Sequence, residues 1–192
     1  PVLGNVLVQS GDKGLTLTAT DLEVELVAFV ETGVADGGEI TLPARKLFDI
    51  CRALPEESQL EVNVEQDRAV VKSGRSRFTL STLPANDFPV IEEMKTAQSL
   101  VLAEKHLKEI IERTHFAMAQ QDVRYYLNGL MLEVDSDSLK AVATDGHRLA
   151  MSEVSTQTGV SDKLQVIVPR KGVQELLRSL ENSDAEVTVQ IG

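Results

Sequence analysis

The chain has 192 residues, a formal net charge of −11, 42% hydrophobic and 4% aromatic residues, and no tryptophan. That composition supports an aliphatic core, in one large domain or two small ones. No apolar run approaches the roughly 20 residues that cross a bilayer, no secretory leader pattern is read at the start, and the single cysteine provides no disulfide framework, so a reducing, cytoplasmic setting is expected.

In chain order, "SGDKG" (10–14) lacks the spacing of a phosphate loop and reads as a hairpin turn. "LTLTATDLEVEL" (15–26) alternates Leu15, Leu17 and Ala19 with Thr16, Thr18 and Thr20, the period of a strand with one buried face. "ITLPARKLFDICRAL" (40–54) reads as a strand entering a helix, with Pro43 as the first helical residue and Cys51 as a buried thiol, and Pro169 starts a helix in the same way. "LEVNV", "RAVVKS" and "SRFTLSTL" read as further strands, with Arg75 and Arg77 on one strand face and Phe78 on the other. A cationic strand face of that kind serves edge protection, a phosphate contact or a subunit contact equally well. "AEKHLKEIIERTHFAMA" predicts an amphipathic helix, with Leu107, Ile110, Ile111 and Thr114 on its inner face.

In "MAQQDVRYYLNG" (118–129), Gln120, Gln121, Arg124, Tyr125 and Tyr126 can contact phosphate, sugar or a base face, or the tyrosines can cap the core. "VATDGHRLAM" (142–151) sets Asp145, His147 and Arg148 around an Asp-Gly pair. It reads as a two-residue hairpin turn, with His147 and Arg148 opening the return strand. The three histidines and one cysteine have no metal-ligand spacing, and no cofactor is expected.

The chain repeats itself. Residues 15–26 align with 139–150 at an offset of 124, 40–54 with 166–180 at about 126, and 60–64 with 185–189 at 125. Three blocks in one order at nearly constant spacing predict two copies of a unit of about 125 residues. Each copy reads as strand, turn, strand, connection, strand, helix, strand, an α+β layout of antiparallel sheets. The second copy has a preceding helix that the first lacks, and the first has two closing strands that the second lacks, so a fragment cut at both ends is expected.

The charges are segregated. The helical segments 43–54, 103–118 and 169–180 carry nine basic and five acidic residues, a sum of +4, which leaves −15 for the rest. Arg45-Lys46 and Arg170-Lys171 both stand at helix starts, where a cation opposes the helix dipole. Such segregation allows a cationic surface on an acidic protein, as phosphate-backbone binding requires.

"TDGHRLAM", "QQDVRYYLNG", "VPRKGV", "LPARKLFDICRALP" and "SGRSRFTLSTLPANDFP" together resemble the bacterial DNA polymerase III beta subunit family, the replicative sliding clamps. The resemblance spans the whole chain. It implies the DNA-clamp fold, with most of domain one in residues 1–94, most of domain two in 95–192, and a third domain absent. It also implies a homodimeric ring around double-stranded DNA that tethers the polymerase III alpha subunit, the clamp loader and repair polymerases through short peptides. Residue by residue, Arg45, Gln121, Tyr125, Tyr126, Arg170 and Lys171 match positions that contact DNA. Leu127, Thr144, Gly146, His147, Arg148 and Leu149 match part of the peptide pocket, and Arg75, Arg77 and Phe78 match the dimer edge. Two other readings are weighed beside it: a nucleic-acid-binding module without a ring, and an enzyme using His147 as a base oriented by Asp145. The second lacks a nucleophile or metal cluster, and the first copy has "DLEV" in the same slot.

Overall fold

A computed structural model describes residues 2–33, 37–89, 91 and 98–192. The chain divides into two compact units, residues 1–92 and 93–192. The expected boundary at 94–95 falls outside the described residues.

In the first unit, strands β1 (Asn5–Gly11), β2 (Gly14–Thr20), β3 (Glu25–Glu31) and β4 (Gly38–Pro43) form an antiparallel sheet in the order β3-β2-β1-β4. Helix α1 (Ala44–Ala53) follows, then the meander β5 (Glu61–Glu65), β6 (Arg68–Ser73) and β7 (Ser76–Ser81). The core joins Val6 and Leu42 from the first sheet, Ile50 from α1, and Ala69, Val71 and Leu80 from the second sheet.

The second unit opens with β8 (Gln98–Ala103) and α2 (Glu104–Glu112). Then come β9 (Gly129–Asp135), β10 (Ser138–Thr144), β11 (Leu149–Ser155), β12 (Leu164–Pro169), α3 (Arg170–Ser179) and β13 (Glu186–Ile191). The sheet order β11-β10-β9-β12 repeats that of the first unit, and β13 pairs with β8. The fold is α+β with antiparallel sheets.

The repeat extends to strand register. Val8 opposes Leu17 and Ile40 in one unit, and Leu132 opposes Ala141 and Val166 in the other, so each pair lies at the sequence offset of its strands. A one-residue slip would turn every side chain to the opposite face, so preserved register means preserved inner and outer faces.

What covers those faces differs. In the second unit α2 packs on β10 and β11, and Leu107, Ile110 and Ile111 bury Leu139, Ala141 and Ala143. In the first unit no described residue plays that part. Leu15, Leu17 and Ala19 are only half-buried, and Leu26, Ala28 and Val30 on β3 are exposed. The outer face is reversed in this respect. Thr18, Thr20 and Thr41 of the first unit are buried there, and Thr41 bonds to Leu83 through both backbone and hydroxyl.

Four local expectations change. Pro43 and Pro169 cap α1 and α3 instead of starting them, because each still pairs in its strand (Asn5 with Pro43, Gly129 with Pro169) and keeps an extended ψ. Helix α2 ends at Glu112: the Thr114 hydroxyl donates back to the Ile110 carbonyl at 2.6 Å, and a 3-10 turn over His115–Ala117 follows. Cys51 is exposed, since Leu47, Ile50 and Leu54 take the inner face of α1 and the next position rotates away. Arg75 lies in the two-residue turn between β6 and β7, where Gly74 supplies the positive φ of 55°, so only Arg77 is on the strand.

Candidate nucleic-acid and peptide interface

The "TDGHR" turn is a four-residue loop, not a two-residue one: Thr144 pairs with Leu149, and Asp145 to Arg148 lie between them. The polar side chains account for the difference. The Thr144 hydroxyl donates to the Arg148 carbonyl at 2.7 Å and accepts from Gly146 N–H at 3.1 Å. The Asp145 carboxylate accepts from the N–H groups of His147 and Arg148, both at 3.0 Å, and these bonds hold its pKa below the usual carboxylate range. These bonds replace the short-turn ladder with an Asx-type loop, and Gly146 takes a φ of 87°.

The first unit builds the same loop from "TDLEV". Thr20 bonds to the Val24 carbonyl and Leu22 N–H, Asp21 accepts from Glu23 and Val24, and Leu22 takes a φ of 78°. The Thr-Asp pair is therefore a turn device used twice. The Asp145 carboxylate is engaged by backbone N–H groups and by Arg148 Nε at 3.0 Å, and neither ring nitrogen of His147 is among its partners.

Two arginines brace this turn against the segment between α2 and β9. Arg148 donates to the Phe116 carbonyl at 2.9 Å, with its guanidinium 5.8 Å from the Phe116 ring centre. Arg124 lies over Gly146, so close that a Cβ added there would come within 3.2 Å of Arg124 Nη2. The Asp122 carboxylate holds Arg124 in a two-pronged pair at 3.0 and 2.9 Å, and that arginine lowers the Asp122 pKa to about 2. Asp122 also shares two bonds with Asn128: its N–H donates to the amide oxygen at 3.0 Å, and its carbonyl accepts from Nδ2 at 2.9 Å.

The same segment carries Gln121, exposed with a φ of 55°, and the exposed Tyr125 and Tyr126, whose rings meet edge to face at 6.0 Å. The tyrosines do not cap the core; Leu127, 9% exposed, takes that place. Arg170 N–H donates to the Asn128 carbonyl at 2.9 Å, and Arg170 Nη1 donates to the Met118 carbonyl at 3.3 Å, which ties the start of α3 to this loop. Lys171 follows, half-buried, in the first turn of α3.

Arg45 lies in the other unit, on the first turn of α1, exposed and 3.3 Å from Asp49. Neither α1 nor α3 has an acid in its first turn or a side-chain cap at its start. Arg77 and Phe78 line a shallow groove with Lys46, Asp49 and Ile50 between α1 and β7.

Residues 1–92 match the family model of the DNA polymerase III beta subunit N-terminal domain, and residues 101–192 match that of the central domain. The chain belongs to the DNA polymerase III beta subunit family. The beta sliding clamp of Pseudomonas aeruginosa is 55% identical over the whole chain, which covers 53% of that relative; the Escherichia coli K12 beta sliding clamp is 50% identical, with 52% covered. The chain thus spans about half the length of these relatives. A crystal structure of the P. aeruginosa beta subunit superposes with a TM-score of 0.96 at 55% identity, over all of this chain and 53% of that one. A P. aeruginosa sliding clamp bound to griselimycin gives 0.94 at 55% identity, over all of this chain and 52% of that one. The beta subunit of Caulobacter crescentus gives 0.93 at 36%, over all of this chain and 54% of that one.

Within this beta-subunit fold, sequence reasoning missed Asp122, Asn128 and Phe116, which hold the site together. An aspartate two residues before an arginine at a loop start was the available signal for the first. It also missed an apolar strip. Met151, Val142, Met131 and Ile167 oppose one another across β11, β10, β9 and β12, with Leu149 next to Met151 on the same face. Leu149, Met151 and Ile167 are 65%, 62% and 51% exposed. The alternation in "LAMSEV" sends Leu149 and Met151 outward and Ala150, Ser152 and Val154 inward, so the strip is readable once the repeat fixes the register.

Proposed function

We propose that this chain is the first two-domain portion of a non-catalytic, cytoplasmic sliding clamp, which as a homodimeric ring encircles duplex DNA and holds the replicative polymerase on it. The observation that carries the reading is the presence, in one chain, of two units that match successive beta-subunit domains. It is supported by the bare, cation-bearing starts of α1 and α3, since a ring that holds DNA by topology needs only weak, sequence-independent phosphate contacts. Arg45, Gln121, Tyr125, Tyr126 and Lys171 supply those contacts, and Arg170 contributes by fixing the loop that carries three of them. Tethering raises the effective concentration of the polymerase at the primer end.

The slot formed by Leu127, Thr144, Gly146 and Leu149 takes short peptides of the polymerase III alpha subunit, the clamp loader and repair polymerases, with His147 and Arg148 as its polar rim. We assign the griselimycin carried by the related P. aeruginosa clamp to the same slot. Arg75, Arg77 and Phe78 form the edge that meets a second subunit.

The deciding experiment uses a chain of the relatives' full length, loaded on circular and on linear duplex DNA. A ring stays on circular DNA through a high-salt wash and is lost on linearisation. A binding module without a ring is stripped by salt from both, and that outcome would replace this reading. Griselimycin titration of that full-length chain and of its His147→Ala/Arg148→Ala variant tests the slot, with weaker binding by the variant expected.

A further inference from the structure

The loop from Ala119 to Asn128 has two sides. One presents Gln121, Tyr125 and Tyr126, the residues proposed for DNA; the other presents Leu127 and the Arg124 guanidinium that lies over Gly146 in the peptide slot. A loop that serves both surfaces needs something to fix its shape, because most of its residues are exposed and it contains no strand or α-helix.

Asp122 is placed to do this. Its side chain pairs with Arg124 through both carboxylate oxygens, and Oδ1 also accepts from Arg124 N–H at 2.8 Å. Its backbone joins Asn128 across the loop through two further bonds. Asn128 in turn accepts from Arg170 N–H at the start of α3. Asp122 thus closes the loop on itself and points Arg124 at the 145–148 turn.

Resting on the peptide-slot assignment above, we infer that Asp122 is the positioning residue of this site: by holding Arg124 against Gly146 it joins the tyrosine-bearing loop and the peptide slot into one unit. Asp122 touches neither ligand and acts through Arg124. An Asp122→Asn change keeps the shape of the side chain but removes its charge and one of its acceptors, so the charge-assisted fork to Arg124 is lost. The guanidinium then no longer has a fixed place over Gly146.

This arrangement has a built-in reporter. The chain has two tyrosines and no tryptophan, and both tyrosines are in this loop, so its tyrosine emission comes from the loop alone.

The experiment compares the unmodified chain with Asp122→Asn, Arg124→Met and the double variant. Griselimycin affinity is measured by calorimetry in a chain of the relatives' full length; tyrosine anisotropy and thermal melting are measured in the 192-residue chain. Each single change is expected to weaken griselimycin binding by about tenfold, the scale of a lost charged hydrogen bond, with the melting temperature little changed. The double variant is expected to bind no more weakly than Arg124→Met alone, because a residue that acts only through another adds nothing once that residue is gone. Tyrosine anisotropy should fall equally in all three variants.

Unchanged affinity in Asp122→Asn, or losses that multiply in the double variant, would overturn the inference. If the unmodified chain of full length does not bind griselimycin, the peptide-slot assignment fails. The anisotropy series then decides the positioning role by itself: equal falls in all three variants support it, and an unchanged Asp122→Asn refutes it.

Discussion

Thr20 and Thr144 stand 124 positions apart and make the same two hydrogen bonds, each donating to the carbonyl four residues on and accepting from the N–H two residues on. Between each threonine and its carbonyl partner, an aspartate accepts two more backbone N–H groups. The loop is held by its first two residues, which leaves the other three positions free to differ: Leu22, Glu23 and Val24 in one unit, Gly146, His147 and Arg148 in the other. Different side chains can thus be displayed on one frame.

Asp21→Ala and Asp145→Ala should therefore destabilise their units by similar amounts, because each removes two accepted backbone hydrogen bonds. Asp21→Asn and Asp145→Asn, which keep the accepting oxygen, should cost less. Urea unfolding followed by far-ultraviolet circular dichroism measures both. A large loss at Asp145 with none at Asp21 would contradict the shared frame.

The two copies also provide an internal comparison of packing. Leu15 and Leu139 occupy equivalent places, but Leu139 is 1% exposed beneath α2 while Leu15 is half-buried. Leu139→Ala should cost about 2–5 kcal/mol, as a truncated buried leucine does. Leu15→Ala should cost clearly less. Equal losses in urea denaturation would mean that α2 contributes little to burial in its unit.

Glu133 sits at the centre of a cross-strand row. Gln165 donates to it at 2.5 Å, Lys140 at 3.1 Å, and Lys163 reaches it at 2.9 Å, while Lys140 also lies 3.8 Å from Glu153. Lys163, then Gln165 and Lys140, hold the Glu133 pKa down at about 2, against an ordinary value of 4.5. A carboxylate whose pKa is lower folded than unfolded adds stability above its ordinary pKa and loses it as pH falls toward the folded value. The melting temperature of the second unit should drop between about pH 4.5 and pH 2. In Glu133→Gln that part of the drop should shrink, which a series of thermal melts across the range would show.

Charge reversal tests the DNA contacts. Arg45→Glu and Lys171→Glu should each weaken binding of duplex DNA without unfolding the chain, and each should lower the slope of log affinity against log salt by about one. Arg170→Glu should do more, because it also removes the bond to the Met118 carbonyl. Fluorescence anisotropy of a labelled duplex with the full-length chain over a salt series measures all three. Slopes that match the unmodified chain would remove these residues from the interface.

The repeat made much of the fold legible in advance. Offsets of 124 and 126 follow from strands whose faces had to keep their burial. The two-residue step between them falls in the β3–β4 connection, 32–37 in one unit and 156–163 in the other, where an insertion disturbs no register. Much of what the chain did not reveal was decided by hydrogen bonds that composition cannot show. "TDG" carries the signal of a two-residue turn, but the Thr144 and Asp145 side chains out-compete that geometry. The helix ends before Thr114, whose N–H turns to the Ile111 carbonyl while its hydroxyl reaches back to Ile110. Equally unreadable were the bonds from the Arg148 guanidinium to Asp145 and to the Phe116 carbonyl. Asp122 had no apparent role until Arg124 and Asn128 were placed around it.

The exposed Cys51 has a practical use. It is the chain's one thiol, and it lies on the same helix as Arg45 and Lys46, one turn and a half beyond them. A maleimide dye added to this 192-residue chain would attach at that single point. Energy transfer from such a dye to an acceptor placed along a duplex would then measure how far α1 stands from the DNA.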